Sequence, residues 1–229
     1  MTGKLYGVGV GPGDPELMTL KAVKVIRDSD VIALPGEHPK DTVAWQIAVK
    51  VCPEMEEKEL LAVPMPMTKD KEKLKESHRQ GARIICGGLK TGKQVAFLTL
   101  GDPTVYSTYL YMHKIVKNAG YPVEIINGIT SFTAVAAKLN MGLAEGGELL
   151  HVVPASYQIQ DSLELPGTKV LMKAGKRIRD VKQQLKDHNV EVSMIENCGM
   201  PEEKIYYGVD EIPEDAGYYS LLIVKEKRR

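Results

Sequence analysis

Gln94-Val95-Ala96-Phe97-Leu98-Thr99-Leu100 is a short, largely apolar run that halts at Gly101-Asp102-Pro103. A run without polar alternation suits a strand covered on both faces. Its stop has three causes. Gly101 permits backbone geometry or close ligand approach that a side chain would block. Asp102 offers a carboxylate at the strand's end. Pro103 lacks an N–H and cannot continue the ladder. Val105 to Asn118 then resumes as a helix-like segment. In open parallel sheets ligands bind outside the carboxyl ends of the strands. The stretch from Leu98 to Ser107 is therefore the first candidate site. The same residues also suit a plain strand-to-helix turn with Asp102 as the helix cap.

The N-terminus repeats the pattern with more glycine. Lys4 to Val10 reads as a strand that enters Gly7-Val8-Gly9-Val10-Gly11-Pro12-Gly13-Asp14-Pro15. Glu16 to Arg27 follows with helical spacing, and Asp14 or Thr19 is its natural cap. A glycine loop between strand and helix invites a dinucleotide-binding reading, which the spacing rejects. The order is Gly9-x-Gly11-x-Gly13 rather than GxGxxG, and Asp30 precedes Val31-Ile32-Ala33-Leu34 instead of following it. Gly88 to Gln94 likewise has the wrong spacing for a phosphate-binding P-loop.

Further along, Val31 to Leu34 is a second strand, ended by Pro35-Gly36, and Asp41 to Val51 is helical with Asp41 as a plausible cap. Leu60 to Met67 is apolar but proline-broken, an edge strand or extended loop. Lys69 to Lys90 reads as a long charged helix with Leu74, Ala82, Ile85 and Leu89 on its buried stripe. Pro122 to Ile126 is another strand, followed by Asn127-Gly128 and the Ala-rich segment Phe132 to Leu139, capped by Thr130 or Ser131. The second half changes character. Strands at 149–153, 169–173, 190–197, 204–208 and 218–224 outnumber helices, of which 178–188 is the clear one. The last two strands read as neighbours across a turn at Pro213 to Gly217. The expectation is an α/β protein of two domains. Residues 1–126 form a mostly parallel βα-repeat domain, and residues 127–229 form a mixed-sheet α/β domain.

Bulk properties narrow the function classes. Thirty basic residues balance thirty acidic ones, so net charge makes no case for nucleic acid or a membrane surface. Three widely spaced cysteines without a CxxC argue against a disulfide framework or zinc site, and no protein-bound metal is expected. No stretch approaches the length of a membrane span, and the N-terminus has no long apolar run; a cytoplasmic protein is expected.

Taken in order, several motifs resemble the tetrapyrrole (corrin/porphyrin) methylases. They are Gly7-Val-Gly-Val-Gly-Pro-Gly-Asp-Pro-Glu-Leu-Met-Thr-Leu-Lys-Ala22, Gly101-Asp-Pro103 ahead of Tyr106, Gly128-Ile-Thr-Ser131, Leu171-Met172 and Tyr219-Ser-Leu-Leu-Ile-Val224. Within the family, Leu98-Thr-Leu-Gly-Asp-Pro-Thr-Val-Tyr-Ser-Thr-Tyr109, Leu143-Ala-Glu-Gly146 and Glu196-Asn-Cys-Gly-Met-Pro201 look most like the members that methylate C20 of precorrin-2 or cobalt-factor II in cobalamin biosynthesis. Asn127 departs from the family's usual proline. The resemblance implies S-adenosylmethionine as methyl donor, a ligand cleft between the two domains, a homodimer, and a tetrapyrrole substrate that brings any cobalt with it.

By the same resemblance, Pro12 borders the cleft. Leu100, Gly101, Asp102, Val105 and Tyr106 hold the donor's amino-acid and sulfonium end, and Ser131 and Phe132 continue that pocket. Met172, Asn197, Cys198, Ser220, Leu221 and Leu222 surround adenine and ribose. Asp102 is the one side chain expected near the chemistry, either as a proton acceptor or as a holder of the donor. A carboxylate-rich substrate needs cationic contacts, for which His38, Lys40, Lys173 and Arg177 are the candidates by position. The other open readings are a sibling methylase acting at another ring carbon and a non-catalytic donor-binding module.

Overall fold

The apolar run that halts at Gly101 is the central strand of a five-stranded sheet. The computed structural model describes every residue except Met1, Met67, Lys69, Gln158, Arg228 and Arg229. The described chain falls into two compact units, Met1–Thr130 and Ser131–Arg229. The first unit runs β1 (Leu5–Gly9), α1 (Leu20–Asp28), β2 (Val31–Pro35), α2 (Val43–Ala48), β3 (Glu59–Val63), α3 (Lys71–Lys90), β4 (Val95–Thr99), α4 (Tyr109–Asn118) and β5 (Val123–Ile126). Its strands lie in the order β3-β2-β4-β1-β5, and every pairing is parallel.

Period-two alternation sorts the core. Ala96 and Leu98 of β4 face one layer, with Ala22 and Ile26 of α1 and Trp45 of α2. Val95 and Phe97 face the other, with Ala82, Ile85 and Leu89 of α3 and Met112 of α4. Both faces of the sheet are covered, which is why its central strands carry no polar alternation. One packing contact depends on glycine: a Cβ added at Gly7 would fall 2.0 Å from the buried Tyr109 ring. β3 is the edge strand that its flanking prolines require. Met67 and Lys69, at the ends of the stretches anticipated there, lie outside the described residues.

Local capping differs from expectation in places. Asp14 caps a short 3-10 turn and Thr19 caps α1 itself, so both candidates serve. Asp41 ends a 3-10 turn, and the cap of α2 is Thr42, whose hydroxyl accepts from Trp45 N. α4 begins only at Tyr109, with Thr108 at the cap position. Asp102 is therefore no helix cap.

The second unit runs α5 (Ser131–Lys138), β6 (Leu150–Pro154), α6 (Gln160–Leu163), β7 (Thr168–Met172), α7 (Ile178–Lys186), β8 (Val190–Glu196), β9 (Lys204–Tyr207) and β10 (Ser220–Glu226). The sheet is mixed, in the order β6-β7-β10-β8-β9. The expected pairing of the last two strands is overturned: β9 forms a hairpin with β8, and β10 inserts between β7 and β8, antiparallel to both. Burial explains the difference. Leu221, Leu222, Ile223 and Val224 are all buried and need cover on both faces, whereas β9 is short and leaves Tyr207 exposed, as an edge strand can. Because β10 opposes its neighbours, its first residue lies beside the carboxyl ends of β7 and β8. No helix among the described residues is long and apolar enough to cross a membrane.

Candidate active site

Three loops meet at the carboxyl edge of the parallel sheet. Gly11 and Gly101 exchange backbone hydrogen bonds, Gly11 N to Gly101 O at 3.3 Å and Gly101 N to Gly11 O at 2.8 Å. This antiparallel bridge ties the loop after β1 to the loop after β4. The loop after β5 joins them at Gly128. A Cβ at Gly128 would lie 2.2 Å from Gly101 O, and one at Gly9 would lie 2.7 Å from Gly128 N. These glycines serve backbone-to-backbone packing, which accounts for a glycine loop without phosphate-binding spacing. Gly101 is different. At φ +70° it is left-handed, and an added Cβ would find only Ile129 O, at 4.0 Å. Space is left open at that point.

Asp102 is buried at the same junction and accepts four hydrogen bonds. Thr104 N donates to Oδ1 at 2.7 Å, and the Thr104 hydroxyl donates to the same oxygen. Asn127 Nδ2 at 3.2 Å and Gly128 N at 3.0 Å donate to Oδ2. Burial by itself would raise the carboxyl's pKa. The donors of Thr104, Asn127 and Gly128 outweigh it and hold the group below the ordinary aspartate value, so the carboxylate stays ionised. Asn127 thus supplies a side-chain donor that a proline could not. Beyond Asp102, Val105 is half-buried and Tyr106 is exposed with a left-handed φ of +48°. Pro12 is buried and Leu100 half-buried beside the Gly11–Gly101 bridge. His38 and Lys40 follow β2, exposed, on the same carboxyl edge; Lys40 Nζ sits 5.6 Å above the Trp45 ring.

The second unit has its own carboxyl-end cluster. Met172 ends β7 and is followed by Lys173 at φ +60°; Glu196 ends β8 and is followed by Asn197 at φ +53°. Left-handed geometry is easy for asparagine and costly for lysine or tyrosine, and such strain gathers where a site imposes it. Asn197 N donates to Tyr219 O at 3.1 Å, and its side chain donates to Glu202 O at 3.3 Å. The half-buried Cys198 precedes Gly199, whose N–H donates to Glu203 Oε2 at 2.7 Å. Burial works to raise the Glu203 carboxyl. The Gly199 amide and Lys138, 2.9 Å away, overcome it and hold the group below the ordinary range. Ser220 is buried at the start of β10. Leu221 and Leu222 point into cores on opposite faces, and both backbones lie in the ladder with β7 and β8. Arg177 donates to Asp180 at 3.2 Å within α7's first turn. Ser131 and Phe132 open α5, both half-buried. Among the described residues, no three His, Cys, Asp or Glu side chains come together as a metal ion would need.

Sequence reasoning missed the partners that make these clusters: Thr104, Asn127 and Gly128 around Asp102, and a second buried carboxylate, Glu196. The signal for Glu196 was present, since Met194-Ile195-Glu196 ends an apolar strand on an acid as Leu100-Gly101-Asp102 does.

An open α/β sheet carrying a buried acid and interlocked glycine loops at its carboxyl edge, coupled in sequence to a mixed-sheet unit, belongs to the α/β folds that bind ligands at that edge. The family follows from comparison: residues 4–211 match the tetrapyrrole (corrin/porphyrin) methylases, and the chain belongs to that family. A probable cobalt-precorrin-2 C(20)-methyltransferase of Methanocaldococcus jannaschii is 36% identical over 99% of this chain and 97% of its own length. A precorrin-2 C(20)-methyltransferase of a Sinorhizobium species is 29% identical over 97% of this chain and 95% of its own. The fold is shared with a Thermus thermophilus uroporphyrin-III C-methyltransferase solved with S-adenosylhomocysteine, at a TM-score of 0.71 and 24% identity over 98% of both chains.

Proposed function

We propose that the protein transfers a methyl group from S-adenosylmethionine to C20 of a precorrin-2-type tetrapyrrole in cobalamin biosynthesis, with the cobalt-containing substrate preferred. The observation that carries the reading is the end-to-end likeness to the Methanocaldococcus protein named for that reaction. The preference for cobalt rests on that one likeness.

The donor brings a sulfonium methyl with a good leaving group, so the protein's work is to position two reactants and exclude water. The residues fit that work. The open space beside Gly101, with Leu100, Val105, Tyr106 and the buried Pro12, takes the donor's methionine end. Asp102 contributes a fixed negative charge that favours a sulfonium cation. Its four hydrogen bonds and its lowered pKa make it a weak proton acceptor, which supports holding over proton transfer. In the second unit, Met172, Asn197, Cys198 and the start of β10 at Ser220 to Leu222 take the adenosine end, and Ser131 with Phe132 lines the approach. Lys173, Arg177, His38 and Lys40 receive substrate carboxylates. The reading includes a homodimer, as the family resemblance implies, in a reducing cytoplasm suited to the thiols of Cys52, Cys86 and Cys198.

Product NMR after incubation with labelled donor and either cobalt-loaded or metal-free substrate tests the reading. Label at C20 is the expected result. Label at another ring carbon makes the protein a sibling methylase. Binding of S-adenosylhomocysteine with no methyl transfer makes it a binding module. Sedimentation at micromolar concentration checks the dimer.

A further inference from the structure

Glu196 is buried at the end of β8, and among the described residues its carboxylate makes no ion pair. A buried carboxylate without a cation is costly unless donors surround it. Here they do. Gly217 N donates to Oε1 at 2.6 Å, and the Tyr206 hydroxyl donates to Oε2 at 2.9 Å. The Ser220 hydroxyl lies 2.6 Å from Gly217 O and 3.3 Å from Oε1, sharing its one hydrogen between them. Two of these three donors come from the segment that enters β10.

That segment is held from two more directions. A Cβ on Gly175 would lie 2.3 Å from Gly217 O, so the loop after β7 lies flat against the Ala216-Gly217 backbone. Asn197, itself left-handed, donates its N–H to Tyr219 O. The fixed segment presents Tyr218 and Tyr219, exposed and packed edge to face with centroids 5.3 Å apart, beside the left-handed Lys173 and Asn197. An apolar residue in place of Glu196 would serve a strand end better than an unpaired acid. A carboxylate there fixes the one turn whose conformation decides what Ser220 and the two tyrosines present.

We infer that Glu196 is a positioning residue for donor binding, holding Gly217 to Ser220 in the conformation that receives the adenosine half of the donor. The inference rests on the reading above that this edge takes adenosine. The test titrates S-adenosylhomocysteine by calorimetry into the wild-type protein and into Glu196→Ala, Glu196→Gln, Tyr206→Phe and Ser220→Ala, with thermal unfolding of each. Glu196→Ala weakens binding about tenfold or more, the scale of losing charge-assisted hydrogen bonds. Glu196→Gln restores affinity to within about threefold of wild type, because its carbonyl still accepts from Gly217 and its amide can donate to the Tyr206 oxygen. Tyr206→Phe and Ser220→Ala each cost about threefold, since each removes one of the three donors and leaves the other two in place. A merely structural Glu196 would lower the melting temperature and leave the affinity of the folded protein unchanged; that result overturns the inference. Should Glu196→Ala fail to fold, wild-type affinity in both Tyr206→Phe and Ser220→Ala overturns it equally. A wild-type protein that does not bind S-adenosylhomocysteine refutes the donor reading itself, an outcome distinct from unchanged affinity in the variants.

Discussion

Asp102 and Glu196 solve one problem in two ways. Each is a buried acid at the carboxyl end of a strand, Glu196 as the last residue of β8 and Asp102 in the loop just past β4, and neither pairs with a cation among the described residues. Asp102 collects its donors from two short stretches, Thr104 just downstream and Asn127-Gly128 at the start of the loop after β5. Two of its four donors are backbone N–H groups, and one of these belongs to Gly128, which packs backbone to backbone on Gly9 and Gly101. Glu196 draws on Tyr206, Gly217 and Ser220, with two side-chain hydroxyls and one backbone amide. The first arrangement stiffens a junction of loops and keeps a permanent negative charge in it. The second ties an exposed turn to the end of a strand. A buried carboxylate is thus an organiser of backbone in both units, and in the proposed function only the first also offers its charge to a cationic ligand.

Removing the acids breaks the comparison most directly. Asp102→Ala strands the amides of Thr104 and Gly128 and costs about 3 kcal/mol or more of stability by denaturant unfolding, together with most of the methyl-transfer activity. Normal turnover in that variant at saturating donor and substrate would remove Asp102 from the site. The sign of the pH dependence follows from the lowered pKa. Asp102 contributes stability that is fully present above the unfolded aspartate value of 3.8 and is lost as pH falls through the lower folded value. The gap between wild type and Asp102→Ala therefore stays level from neutral pH downwards and narrows below about pH 4. A smaller effect sharpens the role of this chain's own residue: Asn127→Ala deletes one of the four donors, costs about 1 kcal/mol, and moves the acid limb of the stability curve upward. The smallest effect is spectroscopic. Tyr206 is held above the ordinary tyrosine pKa of 10.0, first by burial and then by its bond to Glu196. In Glu196→Gln the Tyr206 ring carbon, followed by NMR, titrates closer to 10.0, while the burial part of the shift remains.

The two acids also differ in how plainly the sequence announces them. Gly101-Asp102-Pro103 interrupts an apolar run abruptly, and its purpose as a loop at a sheet edge is readable from residue chemistry alone. The parallel sheet, its buried centre and the edge position of β3 follow from strand composition and proline placement. Glu196 stands in an equivalent place, but its partners lie ten or more residues away and become neighbours only through β10 entering between β7 and β8. That insertion depends on which strand most needs cover, a competition between Leu221-Leu222-Ile223-Val224 and the shorter Lys204–Tyr207 that local pattern does not decide. Asn127 illustrates the same limit. Its tolerance of turn geometry is legible, but its hydrogen bond to Asp102 exists only because β1, β4 and β5 lie side by side.

The contacts among Gly9, Gly101 and Gly128 have a consequence for how the chain comes to be active. They join the first, fourth and fifth strands of a single unit, so the junction is made of high-contact-order pairings with large loop-closure entropy. During vectorial synthesis the glycine loop after β1 emerges early and must wait, unpartnered, until Gly128 has left the ribosome. The junction is therefore among the last parts of its unit to form, and a nascent chain halted before β5 carries the Gly-Asp-Pro turn without the geometry that gives it meaning.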